Sequence, residues 1–500
     1  MAKRSWEINP AGIQLSKKSV TPLYLQLYGQ VREMIVSGRL RVGERLPAGR
    51  TLAGELGVAR VIVSRAYEQL ILEGYLVGRT GAGTFVADQL PEHLLNAAGA
   101  GSKAGRGAGD RAAGAAGSGR PADQQQRVRE GYPLDVAPFQ TGVPALDLFP
   151  YKVWQEVAGK VLKNFKTFNL GYDDTLGYPP LREAIASYLR IARAVKCEAS
   201  QVVIVTGSQQ GLNLIAECLL QKGDKVWMEN PGYGGALGAF RWAGAEICPV
   251  PLEEDGLDID FAIKTYGGAK LVYTTPSHQF PMGYVLSQTK RRRLLDYAQK
   301  KKLWIVEDDY DGEFRYEGRP LASLQGQDTG GVVIYSGTFS KVLFPGLRLA
   351  YLVLPTEEMV NQFRMAKTLL DRQSPILDQL ILSAFMQEGH FPRHIRKMRL
   401  LYAERQKKLL QLIRQELPEY LVPQPAPAGL HLVCQLSDKV DWSVLRQEAE
   451  RTGVIIHFIR YHSPDERKPP AIVLGFTAFT KYKMKIGVEK LGEALRRSLR

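Results

Sequence analysis

Residues 333–351 read VIYSGTFSKVLFPGLRLAY. The β-branched apolar run Val332-Val333-Ile334-Tyr335 predicts a buried strand. After it come Ser336, Thr338 and Ser340, then one lysine, Lys341, and seven positions later one arginine, Arg348. A lysine just past a strand end suits Schiff-base chemistry. Its amine can be desolvated, while nearby hydroxyls and an arginine can hold a phosphate. Taken alone, the same spacing describes a lysine in a surface loop. The rest of the chain decides between the two.

Five hundred residues exceed one hydrophobic core and predict roughly two to four domains. A hydrophobic content of 45% and a charged content of 23% are ordinary for a globular protein. No run of eighteen apolar residues occurs, and Met1-Ala2-Lys3-Arg4 leads into no hydrophobic signal core. The expectation is a cytoplasmic chain without a membrane span. Cys197, Cys218, Cys248 and Cys434 stand far apart with no CxxC pair. That excludes a cysteine zinc module and a disulfide framework, and no metal is expected. The formal net charge of +15 invites a polyanionic partner.

Residues 1–90 hold twelve Lys/Arg against seven Asp/Glu. Apolar residues at 23, 24, 27, 28, 31, 34 and 35 predict a helix over Leu23 to Val36 that ends at Ser37-Gly38. Arg50 to Leu56 reads as a second helix with Gly57 at its left-handed C-cap, and Arg60 to Glu73 as a third. Two helices joined by a tight glycine turn make a helix-turn-helix. Tyr75-Leu76-Val77 and Thr84-Phe85-Val86, around the glycine tip Arg79-Thr80-Gly81-Ala82-Gly83, read as a wing. With the third helix in a major groove, Arg60, Ser64 and Arg65 can reach bases or phosphates, and Arg50 and Arg79 can clamp the backbone.

The segments PLYLQLYGQVREMIVSGRL, RLPAGRTLAGELGVARVIVSRAYEQL and GYLVGRTGAGTFV resemble the winged-helix domain of the GntR superfamily. Where that family usually has serines, this chain has Ala48-Gly49 and Ala59, and Val61-Ile62 replaces a usual polar pair. The lost cap hydroxyl costs about 1 kcal/mol of helix stability. An apolar side chain on the reading helix can still touch a thymine methyl. Residues 96–130 carry six basic and three acidic residues and no aromatic one. Such material buries too little apolar area to fold and reads as a linker with an r.m.s. span of roughly 35 Å.

From Tyr132 onward strands and helices alternate. Val202 to Val205 is a strand, followed by Thr206-Gly207-Ser208-Gln209-Gln210 and a helix from Gly211 to Leu220. A strand, small-residue turn and helix N-terminus form an anion site. Val226-Trp227-Met228 leads into Glu229-Asn230-Pro231-Gly232-Tyr233, Leu271-Val272-Tyr273 into Thr274-Thr275-Pro276-Ser277-His278-Gln279, and Leu303 to Val306 into Glu307-Asp308-Asp309-Tyr310. In an open α/β sheet, that C-terminal strand edge is where ligands sit. Beyond Val353 the chain reads as helical to about Leu417. It ends in a small α+β tail with strands near Leu430 to Val433 and Ile472 to Leu474.

An anion loop, an acid, a tyrosine, a lysine and an arginine at one sheet edge are the set that pyridoxal phosphate needs. TGSQQGLNLIAE, ENPGYGG, TPSHQFPMG, VEDDYDGEFRY and SGTFSKVLFPGLRLAY place residues 132–500 in resemblance to the fold type I aminotransferases. The whole chain resembles the MocR/GabR regulators, which join a GntR-type winged helix to such a domain. The expected architecture is multidomain: a winged helix-turn-helix over 15–88, a linker over 89–131, and over 132–500 an α/β aminotransferase-like domain with a small α+β C-terminal subdomain. The resemblance implies that Lys341 bonds the cofactor aldehyde and Asp308 pairs with the pyridine nitrogen. It implies that Tyr310 bonds the phenolic oxygen and that His278 and Gln279 lie beside the ring. Ser208, Gln209, Thr338, Ser340 and Arg348 would hold the phosphate. Tyr233 would lie against ring or substrate, and Tyr172 would reach the phosphate of a neighbouring subunit, which implies a homodimer. Members that read an amino-acid carboxylate use a late arginine. Gly234-Gly235-Ala236 and Leu474-Gly475-Phe476-Thr477 carry none here, and Arg460 is the nearest candidate.

The leading expectation is a transcriptional regulator that binds operator DNA and senses pyridoxal phosphate, alone or with a small amine or amino-acid effector. Residual half-transamination is compatible with the groups present. An active aminotransferase with an appended DNA-binding domain is the alternative. A DNA-binding adaptor that has lost its cofactor conflicts with the intact Lys341, Asp308 and Arg348.

Overall fold

The computed structural model describes residues 13–16, 22–36, 39–72, 75–79, 83–87, 136–166, 170–317, 322–424, 427–459 and 471–500. The chain divides into two compact units, residues 1–109 and 110–500. Residues 96–130, the expected linker, lie outside the described residues, as do Arg460 and the wing tip at 80–82.

In the first unit, helix α1 (Leu23–Val36) has the bounds its periodicity gave. Leu27, Val31 and Ile35 are buried on one stripe, so the 3.6-residue period became a packed face. Helix α2 (Gly49–Glu55) starts one residue early, and no side chain caps it at Ala48. Gly57 has φ +62°, the left-handed turn that glycine adopts without Cβ strain. Helix α3 (Arg60–Leu72) buries Val63, Ala66, Tyr67 and Leu70. The Tyr67 hydroxyl donates to Pro47 O at 3.0 Å and ties α3 to the entry of α2. Strands β1 (Leu76–Arg79) and β2 (Gly83–Val86) pair antiparallel as the wing.

The second unit is built on an eight-stranded sheet. Its strands are β3 (Val202–Val205), β4 (Lys225–Asn230), β5 (Glu246–Glu253), β6 (Gly256–Leu257), β7 (Leu271–Thr274), β8 (Trp304–Asp309), β9 (Val333–Thr338) and β10 (Ala350–Val353). Their order is β3-β10-β9-β8-β7-β4-β5-β6. Strands β9, β8, β7, β4 and β5 run parallel, β10 is antiparallel to both neighbours, and β6 turns back on β5. Strand β9 outruns its apolar start by three residues. Ser336 pairs with Asp308 of β8, and Thr338 with Ala350 of β10. Both ladders satisfy the backbone, so small polar residues stay in the strand. Gly337 is needed there because a Cβ would collide with the Tyr351 ring.

The helices Glu357–Leu370, Ile376–Gln387 and His390–Glu416 follow, which is the helical stretch expected beyond Val353. A second sheet, β11 (Leu421–Pro423), β12 (His431–Leu436), β14 (Ala471–Gly475) and β13 (His457–Phe458), in that order, forms the C-terminal part. Its inner residues Leu432, Cys434, Ile472 and Leu474 share one core with the helix Pro179–Ala192 and with Tyr351 and Val353. The small sheet is thereby fixed against the large one.

Candidate functional site

The C-terminal ends of β7, β8 and β9 open on a cavity of about 170 Å³ whose wall includes Thr141, Gly142, Ser208, Tyr233, Tyr273, Asp308, Tyr310, Thr338, Lys341 and His431. Asp308 is buried at the end of β8. Its Oδ2 accepts a 2.7 Å hydrogen bond from the Tyr273 hydroxyl, while its Oδ1 is buried and has no partner among the described residues. Burial pushes this carboxyl up to about 7. The Tyr273 bond opposes the shift, and the carboxylates of Asp309, Asp311 and Glu229 add to it. An orphaned buried acceptor is costly, so this atom is suited to a donor that enters the cavity.

Lys341 follows β9 by three residues. Its Nζ donates to Gly142 O at 3.1 Å. Gly142 has φ +71°, and a Cβ there would lie 2.7 Å from Nζ. Burial and the Arg348 guanidinium lower the lysine pKa, against the pull of Asp308 and Asp311. The fraction of free amine at neutral pH rises accordingly, as a nucleophilic lysine requires. Burial, then Asp311, holds the Tyr310 phenol well above its ordinary pKa. The phenol therefore stays protonated beside the cavity.

At the other end, Ser208 opens the helix Ser208–Leu219 behind Gly207, which has φ +115°. A Cβ on Gly207 would lie 2.8 Å from Arg348 Nη2, and that Nη2 donates to Thr206 O at 3.2 Å. Free amides of a helix start, one hydroxyl and one guanidinium thus face the same spot, the composition of a phosphate site. Thr338 is on the wall, and its Oγ1 accepts from the Ser340 amide at 3.2 Å. Ser340 is buried behind it.

Other expected residues stand farther from the cavity. His278 lies behind the wall, its Nδ1 2.9 Å from both the Tyr310 hydroxyl and Asp311 Oδ2. Gln279 donates to Glu229 Oε2 at 3.1 Å and Pro231 O at 2.9 Å. The same Glu229 accepts from Thr274 and Thr275, so Gln279 braces a loop beneath the cavity. Gln209 is exposed and donates to Gly235 O at 3.1 Å. Tyr233 is on the wall and meets Phe280 edge-to-face at 6.0 Å. Tyr172 is 79% exposed under the Arg372 guanidinium, 4.1 Å from its ring centre.

Several wall residues had not been singled out as ligands. Thr141 and Gly142 come from a segment some two hundred residues before Lys341, where no local pattern signals a site. Tyr273 sits inside an apolar strand, and its only signal is a hydroxyl in a fully buried run. His431 offered a clearer one, as a lone histidine in the apolar strand HLVCQL.

In the first unit, Arg50, Arg60 and Arg65 are exposed, and Ser64 is half-buried. Arg65 lies over the Tyr24 ring at 5.9 Å. Val61, beside Arg60, is 56% exposed. The side chain of Arg79 lies outside the described residues.

Residues 138–464 match the family described as aminotransferase class I and II, and residues 23–86 match the bacterial regulatory proteins of the gntR family. The chain is 36% identical to the probable rhizopine catabolism regulatory protein MocR of Rhizobium meliloti, over 96% of this chain and 95% of that one. It is 33% identical to the HTH-type transcriptional regulator YhdI of Bacillus subtilis, over 96% and 97%. Among solved structures, the Pyrococcus horikoshii kynurenine aminotransferase superposes with a TM-score of 0.69 at 26% identity, over 77% of this chain and 96% of that one.

Proposed function

The chain belongs to the MocR-type transcriptional regulators, in which a GntR helix-turn-helix precedes a class I and II aminotransferase domain, and from that premise we propose that its second unit senses pyridoxal phosphate, alone or with an amine effector, and so controls DNA binding by the first. The observation that carries this reading is that Lys341 and Asp308 line one cavity, with Asp308 Oδ1 buried and without a partner among the described residues. Those residues fit the cofactor. Asp308 Oδ1 would accept the ring N–H, Lys341 would bond the aldehyde, and Tyr310 would donate to the phenolic oxygen. Ser208, Thr338 and Arg348 would hold the phosphate, with Ser340 and Gln209 bracing that end. His278 and Gln279 act through Tyr310 and Glu229. When bound, the cofactor supplies an aldehyde that condenses with primary amines and a ring that withdraws electrons.

A helix-turn-helix has no use in transamination, and the relatives that match nearly the whole chain are regulators. Catalytic turnover is therefore secondary in this reading. The winged helix over 15–88 takes duplex operator DNA, the stretch 89–131 tethers it, and 132–500 holds the cofactor. No described helix is long and apolar enough to cross a membrane, and an operator-binding protein acts in the cytoplasm.

The partner of 132–500 is a second copy. Leu170, Tyr172, Met365, Leu369 and Leu370 are all exposed, Leu369 by 88%. The Asp173 amide bonds Gln373 at 2.5 Å, and Thr175 lies 3.3 Å from Thr368, which holds the two segments side by side. An apolar patch of that kind marks an interface, and it carries Tyr172 toward the partner's phosphate end.

The test is an absorbance spectrum of purified, cofactor-saturated protein. A near-visible band that borohydride reduces is expected, and Lys341→Ala should lose it while the oligomeric state is unchanged. Absence of any such chromophore would leave DNA binding as the sole activity and end the sensing reading.

A further inference from the structure

His431 opens β12 and lies on the cavity wall with Phe280 and Leu430, 3% exposed. Its Nε2 stands 2.9 Å from Pro281 O. A proline carbonyl can only accept, so Nε2 carries the proton and Nδ1 keeps a lone pair. Among the described residues the ring has one hydrogen bond, through Nε2, and Nδ1 is left without a partner. Neighbouring rings hold the imidazole in place, Phe280 edge-on at 5.5 Å and His278 at 5.4 Å. Burial, with His278 adding, pushes His431 down to about 3. The ring therefore remains a neutral acceptor at physiological pH.

The rest of the wall has little to offer an anion. Lys341 is its sole cation among the described residues, and its Nζ is held by Gly142 O at the aldehyde end. Arg348 is committed to the phosphate end through Thr206. A carboxylate near His431 would lose its hydration and meet a lone pair, and among the described lining residues only Lys341 is a cation. A hydroxyl would instead donate to Nδ1, and Thr141 lies on the same wall.

We propose that His431 determines effector specificity, and that the ligand read here is a primary amine bearing a hydroxyl and no carboxylate. This rests on the amine-sensing reading above and names the ligand class for it. The experiment titrates the holoprotein with ethanolamine and propanolamine, with glycine and β-alanine, and with n-propylamine, following the shift of the near-visible band.

Amino alcohols should half-saturate at about tenfold lower concentration than either comparison set, the worth of one buried hydrogen bond. His431→Leu should abolish that preference, leave n-propylamine unchanged, and bind cofactor normally, which shows that it folds. His431→Asn, which retains an acceptor near Nδ1, should restore the preference in part. Amino acids that act at equal or lower concentration than amino alcohols, or a ranking that survives His431→Leu, would overturn the assignment alone. A band that no amine moves would remove amine sensing together with it.

Discussion

Asp308 shows how one residue reports the state of the site. In the fold its carboxyl stands at about 7, against about 3.9 in an unfolded chain. Between those values the native state retains a proton that the unfolded state has released. The contribution of Asp308 to native stability therefore falls as pH rises from about 4 to about 7, and it is flat on either side. Three units correspond to about 4 kcal/mol. Glu307, also buried and also at about 7, acts in the same direction. Asp308→Asn removes one of these contributions, so urea unfolding of the apoproteins should give profiles that diverge. The variant should gain on the wild type by a few kcal/mol between pH 4 and pH 7. A protonated ring nitrogen beside the carboxylate would favour its charged form, so cofactor saturation should shrink the divergence. Parallel profiles in the absence of cofactor would mean that Asp308 is ionised in the fold, and that its free oxygen is not waiting for a donor.

Helix α3 is the element on which DNA recognition would turn in the expected docking. Arg60 occupies its first position and Val61 its second, both exposed, where a recognition helix meets base edges. Arg60→Ala should weaken operator binding by about 1–3 kcal/mol if it reads a guanine, with specificity relaxed at one base. A phosphate contact would instead lower affinity for all sequences and flatten the salt slope by about one unit. Gel-shift titrations at several salt concentrations separate the two, and unchanged affinity in both Arg60→Ala and Arg65→Ala would refute the docking. Elements of this kind were the legible part of the sequence. Helix α1 and strand β3 have the expected bounds, because each is a strong period closed by a turn signal. Strand β9 outran its apolar run because ladders on both sides keep Ser336 to Thr338 paired, and no local pattern encodes a neighbour's hydrogen bonds. The site divides in the same way. Asp308 lies at the end of its strand, Tyr310, Lys341 and Ser208 follow theirs within three residues, and all four reach the cavity. Thr141, Gly142 and His431 arrive from distant segments through topology alone. His278 and Gln279 stand in the right motif, yet Asp311 and Glu229 hold them behind the wall.

At the scale of the whole molecule, two units must share one signal. The expected linker, residues 96–130, is rich in Ala and Gly, and a Gly-rich coil of that length would span roughly 35 Å. Half-sites of dimeric helix-turn-helix proteins lie one helical turn apart, about 34 Å, or multiples of it. A coil of that span could reach two half-sites on one operator, but a coil has no second defined state and by itself would transmit nothing. Coupling requires that the protein have two forms, and a ligand shifts their balance only by its differential affinity for them. Linkage makes the effect reciprocal. If cofactor or effector changes operator affinity by some factor, operator changes the affinity for that ligand by the same factor. Pyridoxal phosphate titrated into apoprotein with and without operator duplex should accordingly give two different dissociation constants. The ratio should equal the ratio of operator affinities measured with and without cofactor. Deleting residues 96–130 should reduce that ratio toward one while each separate affinity persists, since the tether sets which arrangements of the units are reachable. Equal cofactor affinities in the full-length chain would exclude the cofactor as the signal, and the amine bound at the His431 end would be left to carry it.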